Sequence, residues 1–150
     1  MIVCFCESQN YGTWRLFTFW RKGFNHCYIV DYDPKAKVWL KAECASTSMV
    51  FDVYKEQESD LLVGSLIEYA TCVDATGTKS AIYFPRWLYC VSFVKHFLGI
   101  NKWWIITPYQ LYCELRRQGH QHIFEKEQGD SNGFDTVSYT HLRAHETRTH

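Results

Sequence analysis

Seven cysteines are present in this 150-residue chain, yet no two are spaced Cys-x-x-Cys. Cys4, Cys6, Cys27, Cys44, Cys72, Cys90 and Cys113 form an odd, scattered set, whereas zinc ribbons and fingers need ligands in close pairs. No metal site and no cofactor is therefore expected, and most of these thiols read as small buried hydrophobes in a reducing compartment. An excess of charge of one sign is also missing: Lys plus Arg and Asp plus Glu are both 16. No broad basic surface follows, so nucleic acid is not an expected partner. No window approaches the roughly 20 apolar residues that span a bilayer, and Met1-Ile2-Val3-Cys4-Phe5-Cys6 carries no basic leader. The expectation is a chain made in the cytoplasm, with no membrane span. No internal repeat is visible.

What the chain does have is 47% apolar and 17% aromatic residues, enough for the core of one domain, expected over residues 1–124. Beyond it, Glu125-Lys126-Glu127-Gln128-Gly129-Asp130-Ser131-Asn132-Gly133 is polar and reads as a linker or frayed end. The stretch from Val137 to Thr147 resembles a translated sequencing-adaptor read. Residues 125–150 are thus expected to be a disordered tail, with 137–150 adaptor-derived and set aside from fold reasoning. His141, His145 and His150 are excluded as metal ligands on the same ground.

Residues 14–20 and 24–32 are aromatic and β-branched and read as extended. Asp33-Pro34-Lys35 supplies a turn, after which Val38, Leu40, Ala42 and Cys44 alternate with Trp39, Lys41 and Glu43. That is a hairpin whose second strand has one buried face. Met49 to Tyr54 reads as a third strand, Glu56 to Asp60 as a solvated turn leading to a short helical piece at Leu61-Leu62, and Ser65 to Cys72 as a fourth strand. From Arg86 the period changes, placing Leu88, Val91, Val94, Phe97 and Leu98 on one helical face, with Gly99 as the stop. A second helix opens at Thr107-Pro108, has Gln110 in capping-box position, and ends in Arg116-Arg117 and Gly119. Strands followed by two helices argue an α+β fold with an antiparallel sheet of about four to five strands, the first helix bearing Cys90.

His26, in Gly23-Phe24-Asn25-His26-Cys27-Tyr28-Ile29-Val30, and Cys90, at the head of the first helix, form the candidate chemistry. A thiol at a helix N-terminus sits in the positive end of the helix dipole, which favours thiolate, and a nearby imidazole can take its proton. Together they are the parts of an activated cysteine nucleophile. Cys27, beside His26, points to the opposite face of the strand and reads as core. Lys95 and His96 read as the polar side of the helix, Trp103 and Trp104 as packing in a short link. His120 and His122 read as a solvated end lacking a third ligand.

Histidine on an early strand and cysteine heading a later helix resembles the circularly permuted papain-like fold of the NlpC-type peptidases and the lecithin retinol acyltransferase relatives. More narrowly, Cys90-Val91-Ser92-Phe93-Val94-Lys95 with Leu98-Gly99-Ile100, followed by Thr107-Pro108-Tyr109-Gln110-Leu111, is similar to small proteins of tailed bacteriophages. The resemblance implies Cys90 as nucleophile, His26 as general base, and a polar third residue on the next strand. Glu43 is the best match for that residue, with Asp52 and Asn25 as alternates. The backbone N–H of Cys90 is the implied oxyanion donor, with Tyr89 as an assistant. The implied activity is a cysteine peptidase or amidase acting on a peptide, peptidoglycan or a virion protein, in an infected bacterium or on the virion. The rival expectation is a virion or assembly protein that keeps the fold without turnover.

Overall fold

A computed structural model describes residues 1–7, 22–45, 48–76 and 88–124. Its architecture is α+β: a six-stranded antiparallel sheet in the order β4-β3-β2-β1-β5-β6, with helices on both faces. The strands are β1 (Ile2–Cys6), β2 (His26–Asp33), β3 (Val38–Cys44), β4 (Met49–Lys55), β5 (Ala70–Asp74) and β6 (His122–Phe124). The helices are α1 (Ser59–Tyr69), α2 (Cys90–Leu98) and α3 (Pro108–Arg117). The extended reading of 14–20 and the tail 125–150 lie outside the described residues.

Two apolar layers sandwich the sheet because successive side chains of a strand point to opposite faces. Val3 and Phe5 of β1, Cys27 and Ile29 of β2 and Ala42 and Cys44 of β3 pack with Val91, Val94 and Leu98 of α2 and Leu111 and Leu115 of α3. Ile2 and Cys4, Tyr28 and Val30, and Trp39 pack with Leu62, Val63 and Leu66 of α1. Strand β1, buried from Ile2 through Phe5, lies near the centre of the sheet. A short continuous apolar run carries no period, so its sequence does not announce a strand.

The β2–β3 hairpin forms where Asp33-Pro34-Lys35 places it. Asp33 Oδ1 accepts from the backbone N–H of Lys35 at 2.9 Å, and Lys37 completes the turn at φ 54°. The expected single buried face of β3 is corrected: Trp39 is 2% exposed against α1, while Leu40, on the face where α2 and α3 cover only Ala42 and Cys44, is 42% exposed. A second correction concerns Ser65 to Cys72. Residues through Tyr69 are helical, and the strand begins at Ala70. Leu62, Val63 and Leu66 share the buried side of that helix, a spacing of turns rather than alternation. The sheet is also larger than four to five strands, because β1 and β6 join its middle and its edge. His122 accordingly belongs to β6, with Nε2 2.9 Å from the Tyr112 hydroxyl.

Helix α3 starts as its sequence dictates. Thr107 Oγ1 accepts from Gln110 N at 3.2 Å, Gln110 Oε1 accepts from Thr107 N at 3.0 Å, and Pro108 takes the first helical position. Lys95 is corrected from the polar side to the interior: it is 6% exposed, and its ammonium donates to the carbonyls of Lys102 at 2.6 Å and Ile105 at 3.0 Å. It thereby ties the α2–α3 connection to α2. Trp103 and Trp104, read as packing, are 81% and 53% exposed, and Ile105 alone of that link is buried in the core.

Candidate active site

Cys90 is the first residue of α2. The N–H of Tyr89 donates to Ser92 Oγ at 2.9 Å, that hydroxyl donates back to the Tyr89 carbonyl, and the first bond of the helical ladder runs from Phe93 N to Tyr89 O at 2.9 Å. Cys90 therefore stands where the first-turn N–H groups and the positive end of the dipole meet the sulfur. At the other end Gly99 adopts φ 64°, which costs glycine nothing, and Ile100 N closes onto the Lys95 carbonyl at 2.9 Å. The helix is fixed at both ends, and its packing on β2 and β3 sets the position of the thiol.

His26 opens β2 opposite Cys6 of β1, at the end of the sheet, and is 1% exposed. It shares its strand parity with Tyr28, whose ring centroid lies 6.3 Å away. Nε2 of His26 is 2.9 Å from Glu43 Oε1. Cys90 lies close enough to the same ring for each group to shift the other's proton affinity. The three residues picked from the sequence are thus brought together across α2, β2 and β3. Of the alternates for the third place, Asp52 sits one step further out: its Oδ2 meets Lys41 Nζ at 3.4 Å, and Lys41 in turn holds Glu43 Oε2 at 3.0 Å. Asn25 is the residue before His26, and Glu43 holds the His26 Nε2 position.

The charges follow from these contacts. Burial alone would depress the imidazole, but hydrogen bonds to Cys90 and Glu43 outweigh it and raise His26 to about 9. Cys90 is lowered to about 5, first by a hydrogen bond from the Cys27 thiol, then by His26, against the opposing effect of burial. Glu43 is lowered to about 2 by the bond from His26 first and by Lys41, again against burial. From about pH 5 to about pH 9 the site is a thiolate–imidazolium pair with an ionised carboxylate behind it. The neighbouring thiols go the other way: burial, with the charge of Glu43, pushes Cys6 up to about 12, and burial holds Cys27 protonated.

Cys27 is the residue that sequence reasoning assigned to the core alone. It is fully buried, as expected, but it lies in the core layer that contains Cys90 and donates to that sulfur through both its thiol and its backbone N–H. Its strand parity matches Ile29 and hence the α2 face, a signal legible only once α2 is known to pack there. Cys27→Ala removes the thiol donor and keeps the backbone one. We expect the acid limb of Cys90 alkylation to move upward by about one pH unit, the worth of one hydrogen bond to a charged sulfur, as read from iodoacetamide rates against pH. Tyr89 adjoins the site as well, its phenol raised by burial and by the charge of Cys90.

Among the described residues no group of three or more His, Cys, Asp or Glu is placed to hold a metal, and no helix is long and apolar enough to cross a membrane. The chain matches no protein-family model, no curated protein and no solved structure.

Proposed function

We propose that this chain is a thiol hydrolase of the peptidase or amidase type, with a permuted papain-like fold. The observation that carries the reading is His26, whose Nε2 meets Glu43 Oε1 at 2.9 Å and whose ring and the Cys90 sulfur are near enough to stabilise each other's charged forms. The order of elements agrees, with the histidine strand before the cysteine helix and that helix packed on an antiparallel sheet.

In the reaction the Cys90 thiolate attacks an amide carbonyl carbon, and the first-turn N–H groups of α2 face the developing oxyanion. As the C–N bond breaks, the His26 imidazolium gives its proton to the leaving amine. Water then attacks the thioester, His26 takes its proton, and the acid leaves as the Cys90 sulfur is released. Glu43 keeps the ring direction and tautomer through both halves. The resemblance to tailed-phage proteins makes peptidoglycan cross-bridges or a virion protein the proposed substrates, in the infected bacterium or on the particle.

The test is release of new amino groups from peptidoglycan and from virion-protein peptides by purified protein. Turnover that vanishes in Cys90→Ala and persists in Cys113→Ser is expected. A protein that shows no turnover and whose Cys90 reacts like an ordinary thiol with pKa about 8.5 overturns the reading. That outcome favours the second reading, a virion or assembly protein without turnover, for which the apolar edge strand β4 speaks: Met49, Phe51 and Val53 are 43%, 63% and 59% exposed.

A further inference from the structure

Glu43 has two carboxylate oxygens, and they go to different partners. Oε1 meets His26 Nε2 at 2.9 Å, and Oε2 meets Lys41 Nζ at 3.0 Å. Lys41 and Glu43 are two apart on β3, so they share a face, and Lys41 is the cross-strand partner of Asp52 on β4. The ammonium is held from three sides: by Glu43, by Asp52 at 3.4 Å, and by the Tyr28 ring, whose centroid is 5.2 Å away. It is not a freely waving surface lysine, since only 23% of its side chain is exposed. Nothing in the proposed chemical steps uses it, because a protonated amine cannot accept a proton from His26.

We propose that Lys41 is a positioning residue of the site: it takes one oxygen of Glu43, so that His26 shares the carboxylate instead of monopolising it, and the ring proton stays transferable to a leaving amine. The inference rests on the Cys90–His26–Glu43 reading above. A carboxylate bound by imidazolium alone would hold that cation more tightly, and a general acid that is too weak returns its proton slowly. A lysine already neutralising half of the carboxylate prevents this and, by pinning Oε2, keeps Oε1 aimed at Nε2. The other titratable groups facing this cluster are Tyr28 on β2, Cys6 on β1, Asp52 and Tyr54 on β4, and Cys90 on α2. None of these neighbours is a cation, so Lys41 supplies the positive charge beside the imidazolium, and it is held by Glu43 and Asp52 against the cost of burial.

The experiment is a pH titration of the His26 ring-proton resonance by NMR, assigned by its loss in His26→Ala, in wild type, Lys41→Met and Lys41→Arg. In wild type the ring is expected to titrate near 9. In Lys41→Met the midpoint should rise by about one unit, the effect of removing a unit charge a few ångströms beyond the carboxylate. Lys41→Arg, which can bridge the same two carboxylates, should restore the wild-type value. Should Lys41→Met not fold, Lys41→Gln carries the same charge loss and the same expectation. A midpoint that stays put or falls in the neutral variants, or that arginine fails to restore, overturns the inference while leaving the Cys–His reading intact. A wild-type ring titrating near 6.5 would instead remove the reading on which it rests.

Discussion

His26→Ala is expected to move the acid limb of Cys90 alkylation upward by at least two pH units from its wild-type position near 5, and to lower amide turnover by about 10²–10⁴-fold. The limb is the better measure than the rate at one pH. At pH 6 a thiol with pKa near 5 is about nine-tenths thiolate, and one near 7 is about one-tenth thiolate. Thiolate nucleophilicity rises with pKa, with a Brønsted coefficient of about 0.4–0.5, so roughly an order of magnitude is regained by the more basic sulfur. The two effects nearly cancel in a single-pH alkylation rate. Turnover has no such compensation, because the variant has lost both the base and the acid of the reaction. Cys113, which is exposed, should first be replaced by serine so that the measured label is on Cys90. A limb that stays near 5 in His26→Ala would show that Cys27 and the helix dipole alone make the thiolate, and His26 would lose its role.

Phe5→Ala is expected to cost about 3–5 kcal/mol of stability, measured by urea or thermal unfolding, against a total of about 5–15 kcal/mol for a domain. Phe5 is fully buried on the central strand β1, and its ring lies 5.7 Å from that of Phe24 and 5.6 Å, edge-on, from that of Tyr112 on α3. Truncation removes the transfer free energy of the ring and leaves a cavity between β1 and α3, which two anchored elements cannot close. Phe24 stands two residues before His26, so the loosening is expected at the approach to the site as well. The matching expectation is a higher hydrogen-exchange rate at the start of β2 in the folded variant. A loss below about 1 kcal/mol would mean that Tyr112 and Phe24 collapse into the space.

The legible parts of the chain were those in which one local rule spoke without a competitor. Thr107, Pro108 and Gln110 announced α3, and Asp33-Pro34-Lys35 announced the hairpin, because caps and turns are settled within a few residues. Ser65 to Cys72 reads as one strand because the half-buried helix runs into the buried strand without a Gly or Pro between Tyr69 and Ala70 to mark the change. The burial of Lys95 is hidden for a different reason: its ammonium finds two carbonyls of the α2–α3 connection, and a loop's path is invisible in the periodicity of the helix that it leaves. In the site, Cys90 and His26 could be picked by residue type and position, and Glu43 by its place on the next strand. The donor role of Cys27 and the grip of Lys41 on Glu43 could not.

The amino-acid order alone determined an α+β chain, a cysteine at the head of a helix, and a histidine at the start of a strand, because dipoles, caps and alternation act over one or two turns. Whether the sulfur and the ring would meet was decided only by the tertiary structure. Strand β2 pairs between β1 and β3, and α2 packs across it, so residues far apart in the chain come together at the end of the sheet. The charge they carry is equally a tertiary property. It depends on burial, which penalises each ion, and on partners from three different elements, which outweigh the penalty.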